Sequence, residues 1–435
     1  MPTATSKRSD LHLADLHERA AAAGIEGYRK LRRNELLEAL GESDSPAATA
    51  APEGPDGEDE GVVVEATVLD DTEDEPVELD SAGRSEDRDE EEPPAEPVAG
   101  VLEITRQRYA FLRLTGLEPG DGDVYVSAAQ VRRCELRSGD EVAGPAREPR
   151  RGERHRALVH VDTVNGAEPL SEERPDFDGL PAIQPERRLE PGDDPLARAV
   201  DLLAPLAYGQ RILVRSAPRS GRTTLLRAIA RGAAAHETAR VIVLLIDERP
   251  EEATSWREEV PVADFAIATA ELAPIEQLRV TELALERSRR LAEAGTDAVL
   301  ICDSLTRLAI AAGGPTEVKR LFGSGRNLAG GGSLTVLATV LEDGGDEGEA
   351  ERAIISTESS LVTLDPELAA AGVVPALRAA ECRVSNEEQL REAEELDAAR
   401  RLRSLLADLK PSDAAALLRE RIEDTSSNEE LLRGL

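Results

Sequence analysis

Residues 216–226 read SAPRSGRTTLL, and how this stretch is read decides the fold. A phosphate-binding loop follows the pattern G-x-x-x-x-G-K-[ST]: its glycine-rich backbone cradles phosphates and its lysine reaches them. Here Ser216 opens the run, Gly221 closes it and Thr223 follows, but Arg222 stands where the lysine belongs. The context fits such a loop. The apolar run RILVRS (211–216) enters it as a strand, and TTLLRAIARGAAA (223–235) leaves it as a helix. At that helix N-terminus the backbone N–H groups of Ser220 to Thr223 are placed to hold an anion. Ser216, Ala217, Pro218, Arg219, Ser220, Gly221, Arg222, Thr223 and Thr224 are therefore the candidate nucleotide-binding residues.

The chain continues in the same alternating style on the C-terminal side. ARVIVLLID is a continuous apolar run ending at Asp247 and Glu248. DAVLICDS ends at Asp303, and GSLTVLATVL is a further buried strand. The long amphipathic helix IEQLRVTELALERSRRLAEAG lies between the first two runs. Apolar strands alternating with helices predict a parallel sheet covered on both faces, with ligands at the carboxyl ends of the strands. The loop, Glu248 and Asp303 all fall at such ends. That placement suits Thr223 and Asp303 to hold Mg²⁺ and Glu248 to orient an attacking water.

Charge and composition set limits around this core. A net charge of −35 over 435 residues argues against a general nucleic-acid-coating surface, but the charge is uneven. Between Ser43 and Val98 there are 21 Asp and Glu against two Arg, in a Pro- and Ala-rich segment that cannot offset its ordering entropy by burial. It reads as a disordered linker. Residues 8–42 before it read as a small helical module, with LRRNELLEAL as its second helix. Cys134, Cys302 and Cys382 have neither disulfide nor zinc spacing. The first ten residues lack an apolar targeting core and no run reaches membrane-spanning length, so the expected setting is the cytoplasm, without a membrane partner.

After the linker, VLEIT, YAFLRL, DVYVSA, DEVAG and RALVHVDTV are short β-type runs between Gly, Pro and Asp turns, the pattern of a small barrel. Aromatic residues are scarce, yet Tyr109, Phe111 and Tyr125 fall here. Tyr109 and Phe111 alternate and share one strand face. They either fill the barrel core or stand exposed. Arg106, Arg108 and Arg113 flank them, and residues 100–160 hold 11 Arg against nine acids in an otherwise acidic chain. Aromatics among arginines on a barrel are what stacking of single-stranded bases requires.

These stretches together resemble the bacterial transcription termination factor Rho family, ring-shaped RNA-dependent ATPases, over nearly the whole chain apart from the acidic linker. GVLEITRQRYAFLR, DVYVSAAQVRRCELRSGDEVAG and GERHRALVHVDTVN resemble its cold-shock-like RNA-binding barrel. LLIDERPEE, CDSLTRLA and LFGSGRN resemble its ATPase core. The resemblance implies an RNA site of Arg108, Tyr109, Phe111, Arg113, Tyr125 and Arg154, and Glu248 as catalytic glutamate. It further implies Arg249 and Arg307 as nucleotide-sensing arginines, Asp303 on the magnesium side, ATP and Mg²⁺ as cofactors, a homohexamer, and nascent single-stranded RNA and RNA polymerase as partners.

The chain departs from that pattern at several places. Lysine is replaced at Arg222, the loop carried by IAAGGPTEVK is short, and the next channel loop is the acidic EDGGDEGEAE. Val374 stands where an adenine-stacking aromatic is expected, and Ser385 where an arginine acts across a subunit boundary; Ser385 with Glu388 reads instead as a helix capping box. The expected architecture is a helical module (8–42), an acidic linker (43–99), an OB/cold-shock-type β-barrel (100–170), a connector (171–194) and an α/β RecA-like ATP-binding domain with C-terminal helices (195–435). Two activities remain open at this point: an RNA translocase or helicase driven by ATP in transcription termination, or a Rho-derived RNA-binding regulator with weak or absent hydrolysis.

Overall fold

The computed structural model describes residues 95–105, 109–170, 174–190, 192–261, 263–342 and 348–435. All of them fall in the unit Arg88–Leu435. The helical module, most of the acidic linker, Arg106, Arg108 and the centre of the acidic channel loop lie outside the described residues.

The first strand, β1 (Glu96–Ile104), starts four residues before the expected boundary at Gly100. Its exposed beginning, EPVAG, has the composition of a linker. What makes it a strand is main-chain pairing, Glu96 to Val101 running antiparallel to 141–146. β2 (Ala110–Arg113), β3 (Val124–Val126), β4 (Glu141–Arg147), β5 (Arg156–Leu158) and β6 (Thr163–Val164) follow, with helix α1 (Ala128–Arg133) between β3 and β4. The order β1-β2-β3-β5-β4, with β4 pairing back to β1, closes a five-stranded barrel carrying β6 on its rim. Helix α1 was not visible as a periodic run, but it is defined by a capping box in which Ser127 and Gln130 satisfy each other's backbone N–H groups. The barrel core is aliphatic: Leu102, Leu112, Val124, Val126, Val142 and Leu158 pack at its centre.

The ATPase-type domain holds the remaining strands β7 (Ala182–Ile183), β8 (Arg211–Ser216), β9 (Ala239–Glu248), β10 (Asp264–Thr269), β11 (Asp297–Asp303), β12 (Arg326–Leu328), β13 (Ser333–Leu341), β14 (Ser360–Thr363) and β15 (Arg383–Val384). Its main path runs β10-β9-β11-β13-β8-β14-β15, and it is parallel from β10 to β14. Burial follows the two-residue period of a strand covered on both sides. Ile212, Val214, Val243, Leu245, Val299 and Ile301 enter one core; Leu213, Ile242, Leu244, Leu300 and Cys302 enter the other. The first core is covered by α2 (Pro195–Leu203), α3 (Arg222–Ala234), α4 (Pro250–Glu259) and the C-terminal helices, and the second by the long α5 (Pro274–Glu293) with α6 (Leu305–Ala312) and α7 (Thr316–Gly323). No helix among the described residues is long and apolar enough to cross a membrane.

Helix α5 is also the seat of the barrel. Gly139, at φ +86°, lies so close to the helix that a Cβ would sit 2.4 Å from the Glu286 carbonyl carbon, so only glycine fits. Arg287 of α5 reaches Glu141 at 2.6 Å, and Leu117 joins the sheet core while donating its N–H to the Phe265 carbonyl.

The capping box expected at Ser385 and Glu388 is not formed. Ser385 is drawn toward the sheet edge, donating its N–H to the Ser359 carbonyl at 2.7 Å. The next short turn starts instead at Asn386, in the left-handed region at φ +55° and with no side-chain cap.

Candidate nucleotide site and RNA-binding face

The phosphate-loop reading of SAPRSGRT meets a loop of the right shape. Strand β8 ends at Ser216, which is fully buried, and α3 begins at Arg222. Between them Arg219 and Gly221 both take left-handed backbone, at φ +63° and +86°. The Ser220 hydroxyl closes the turn on the Ala217 carbonyl at 2.7 Å. Successive N–H groups in such a turn face inward, and the first turn of α3 leaves further N–H groups without intrahelical partners. Pro218 and Arg219 are exposed on the loop, Thr223 is half-buried at its base and Thr224 is exposed.

Beside the loop, β9 and β11 bring their terminal acids together. Glu248 is the last residue of β9, and Asp247 before it takes φ +54°, a bend that turns the strand end and leaves Glu248 buried with Asp247 exposed. Asp303 ends β11 and is buried, accepting from the Thr339 hydroxyl on β13 at 3.0 Å. Two arginines answer these acids. Arg307, in the first turn of α6, pairs closely with Glu248 and also donates to the Ile246 carbonyl at 3.3 Å. Arg222 places its Nε 3.0 Å from Asp303 Oδ1 and 3.2 Å from Oδ2, while its Nη2 lies 3.6 Å from Glu248 Oε1. Burial and the neighbouring Asp303 push the Glu248 carboxyl above the usual carboxylate range; Arg307 and Arg222 pull against them. The arrangement is two buried acids and two arginines beside the phosphate loop. Arg249 is not drawn into it and stands exposed ahead of α4.

The second surface is on the barrel. Tyr109 is 43 % exposed and Phe111 and Tyr125 are half-buried, so none of the three belongs to the aliphatic core. Phe111 and Tyr125 are register partners across β2 and β3, with ring centroids 5.9 Å apart, and the His155 ring lies 5.1 Å from that of Phe111. Arg154 is exposed next to His155. His155 escaped the sequence reading because the parallel β3–β5 pairing that delivers it is non-local. Thr339 was missed as well, although a hydroxyl near the end of an otherwise apolar run is a visible signal.

Arg113 has a different position from the one expected of a phosphate contact. It is 4 % exposed, with Nε donating to Glu103 at 2.7 Å and the rest of the guanidinium on Glu103 and Asp123. Glu103, the register partner of Phe111, also pairs with Arg279 of α5. The residue stripe Tyr109–Phe111–Arg113 thus runs from solvent into the seam between barrel and ATPase domain, which covers its last member. Arg113 still lies 5.6 Å from the Phe111 ring centroid and supports that ring from below.

Comparison with known proteins covers both domains. Residues 98–170 match the family described as Rho termination factor, RNA-binding domain, and residues 197–314 match the ATP synthase alpha/beta family, nucleotide-binding domain. The transcription termination factor Rho of Bacillus subtilis (strain 168) is 37 % identical over 358 residues, spanning 77 % of this chain and 83 % of that protein. The chain belongs to the Rho family. Rho of Aquifex aeolicus (strain VF5) is 34 % identical over 78 % of this chain and 84 % of its own length. Rho of Streptomyces lividans is 39 % identical, but the chain spans only 51 % of that longer protein. A solved ATPase from a type III secretion system shares the fold, with a TM-score of 0.50 at 20 % identity over 63 % of this chain and 93 % of that one. Within the Rho pattern, Val374 is 51 % exposed, and Ser385 lies at the amino end of β14, where it pairs with β15, the opposite end of the sheet from the phosphate loop.

Proposed function

We propose that this Rho-family chain is an RNA-dependent ATPase and helicase that captures single-stranded nascent RNA on its barrel and hydrolyses ATP at the Ser216–Thr224 loop during transcription termination. The observation that carries this reading is the meeting of Glu248, Asp303, Arg222 and Arg307 beside the phosphate loop, at the carboxyl ends of adjacent parallel strands. In this scheme the loop N–H groups and Arg222 hold the phosphates, Glu248 orients the attacking water, and Arg307 keeps Glu248 in place and senses the nucleotide from that position. Arg249, exposed just past the end of β9, is the second arginine assigned to nucleotide sensing. Mg²⁺ is ordinarily held by one or two carboxylates together with substrate phosphates. The hard oxygen donors of Thr223 and Asp303 suit that share, and the ion would supply neutralisation of phosphate charge. The expected setting is a cytoplasmic homohexamer working with RNA polymerase.

Tyr109, Phe111, Tyr125 and His155 form the proposed stacking platform, with Arg154 as a phosphate contact. Replacing both Tyr109 and Phe111 by Ala weakens RNA binding by about 1–3 kcal/mol for each base that loses its stacking partner. Titration of the full chain with fluorescent oligoribonucleotides checks this. Unchanged affinity in the double variant would show that RNA is held elsewhere.

A further inference from the structure

Arg222 does more in this structure than fill a lysine's place. Its guanidinium bridges the two acids of the site, contacting both Asp303 oxygens through Nε and reaching Glu248 through Nη2. The side chains involved are shielded from water, with Arg222, Glu248 and Asp303 exposed by 14 %, 11 % and 1 %. Asp303 Oδ1 already accepts from Thr339, so each of its oxygens has a protein donor. A lysine ammonium is one compact charge at the end of a flexible stem. The guanidinium presents several donors in a fixed plane and holds two carboxylates at once.

We propose that Arg222 is a built-in counter-cation that competes with the divalent ion for Asp303, giving this site a higher divalent-ion requirement for nucleotide binding than a lysine would. The inference rests on the reading of Ser216–Thr224 as a nucleotide site and deepens it. Arg222 would have to leave Asp303 before that carboxylate could hold a divalent ion, and its guanidinium would then be free for the phosphates. The two events are therefore linked, and by reciprocity any change that weakens the Arg222–Asp303 pair lowers the ion concentration needed.

The test is binding of a fluorescent N-methylanthraniloyl ATP to the full chain at fixed nucleotide and increasing Mg²⁺, for the unmodified protein and Arg222→Lys. The half-saturating Mg²⁺ concentration should fall about tenfold in the lysine variant, the order expected when a charged group spanning two carboxylates is exchanged for a single point charge. With Asp303→Asn in both backgrounds, the contested carboxylate is gone and the difference should disappear. A second readout uses Mn²⁺ alone, followed by electron paramagnetic resonance. Arg222→Gln, which removes the charge and shortens the side chain, should bind Mn²⁺ more tightly than the unmodified chain. Nucleotide bound with the same Mg²⁺ dependence in both proteins, or equal Mn²⁺ uptake, overturns the inference while leaving the nucleotide site standing. No nucleotide binding by either protein at millimolar concentration overturns the site reading and the inference with it.

Discussion

Replacing Glu248 by Gln lowers RNA-stimulated ATP turnover by about 10²–10⁴-fold while leaving nucleotide affinity within a few-fold of the unmodified protein. The amide keeps the size and the capacity to accept from Arg307 but gives up the charge that orients and deprotonates water. Loss of turnover without loss of binding separates this role from a structural one. The pH profile gives the same prediction a second signature. Glu248 titrates above the ordinary carboxylate range because it is buried and faces Asp303, with Arg307 and Arg222 only partly offsetting that. A raised carboxyl takes up its proton earlier as pH falls, and the protonated form cannot act as a base. Turnover should therefore decline on the acid side at a higher pH than an exposed glutamate would give. Steady-state phosphate release across the pH range measures it; a profile with no acid limb would place the base elsewhere.

Arg113→Ala destabilises the described unit by about 3–5 kcal/mol, the range for removing one partner from a buried ion pair. The cause is the pair of carboxylates left behind. Glu103 and Asp123 are about as buried as Arg113 itself; Glu103 retains Arg279, and Asp123 keeps the Gly120 N–H but no cation among the described residues. Against a typical total stability of roughly 5–15 kcal/mol this is a large fraction. Because the site lies in the seam, loss of order there should loosen the barrel from α5 as well. Arg154→Ala, at an exposed position, should stay within about 0.5 kcal/mol. Urea denaturation of the three proteins checks the contrast. If Arg113→Ala leaves stability unchanged and weakens RNA binding as Arg154→Ala does, Arg113 is a phosphate contact after all.

What the sequence shows of this protein depends on how local the signal is. The phosphate loop, the strands ending at Glu248 and Asp303 and the helix after Arg222 are read from adjacent residues, and each lies within a residue or so of its expected place. β10 and β14 were not read because their runs, DFAIAT and SLVT, are short; they are strands because β9 and β8 offer them edges. Side-chain partnerships were the least legible. Nothing in the order of residues shows that Arg222 bridges two acids contributed by other strands, or that Arg113 turns inward onto a Glu103 also held by Arg279, from a helix more than a hundred and fifty residues away in sequence. The capping box at Ser385 failed for the same reason: local chemistry favoured it, and pairing of β15 with β14 together with the Ser359 carbonyl took the backbone elsewhere.

The most direct test of this account is phosphate release by the unmodified full chain at saturating ATP and Mg²⁺, with and without single-stranded RNA. RNA should raise the rate, the increase should saturate over the same RNA concentrations that fill the Tyr109–Phe111 surface, and it should vanish in Glu248→Gln. A rate indifferent to bound RNA, or no hydrolysis when both RNA and nucleotide are demonstrably bound, would contradict the claim that the barrel and the Arg222 site work as one RNA-dependent ATPase.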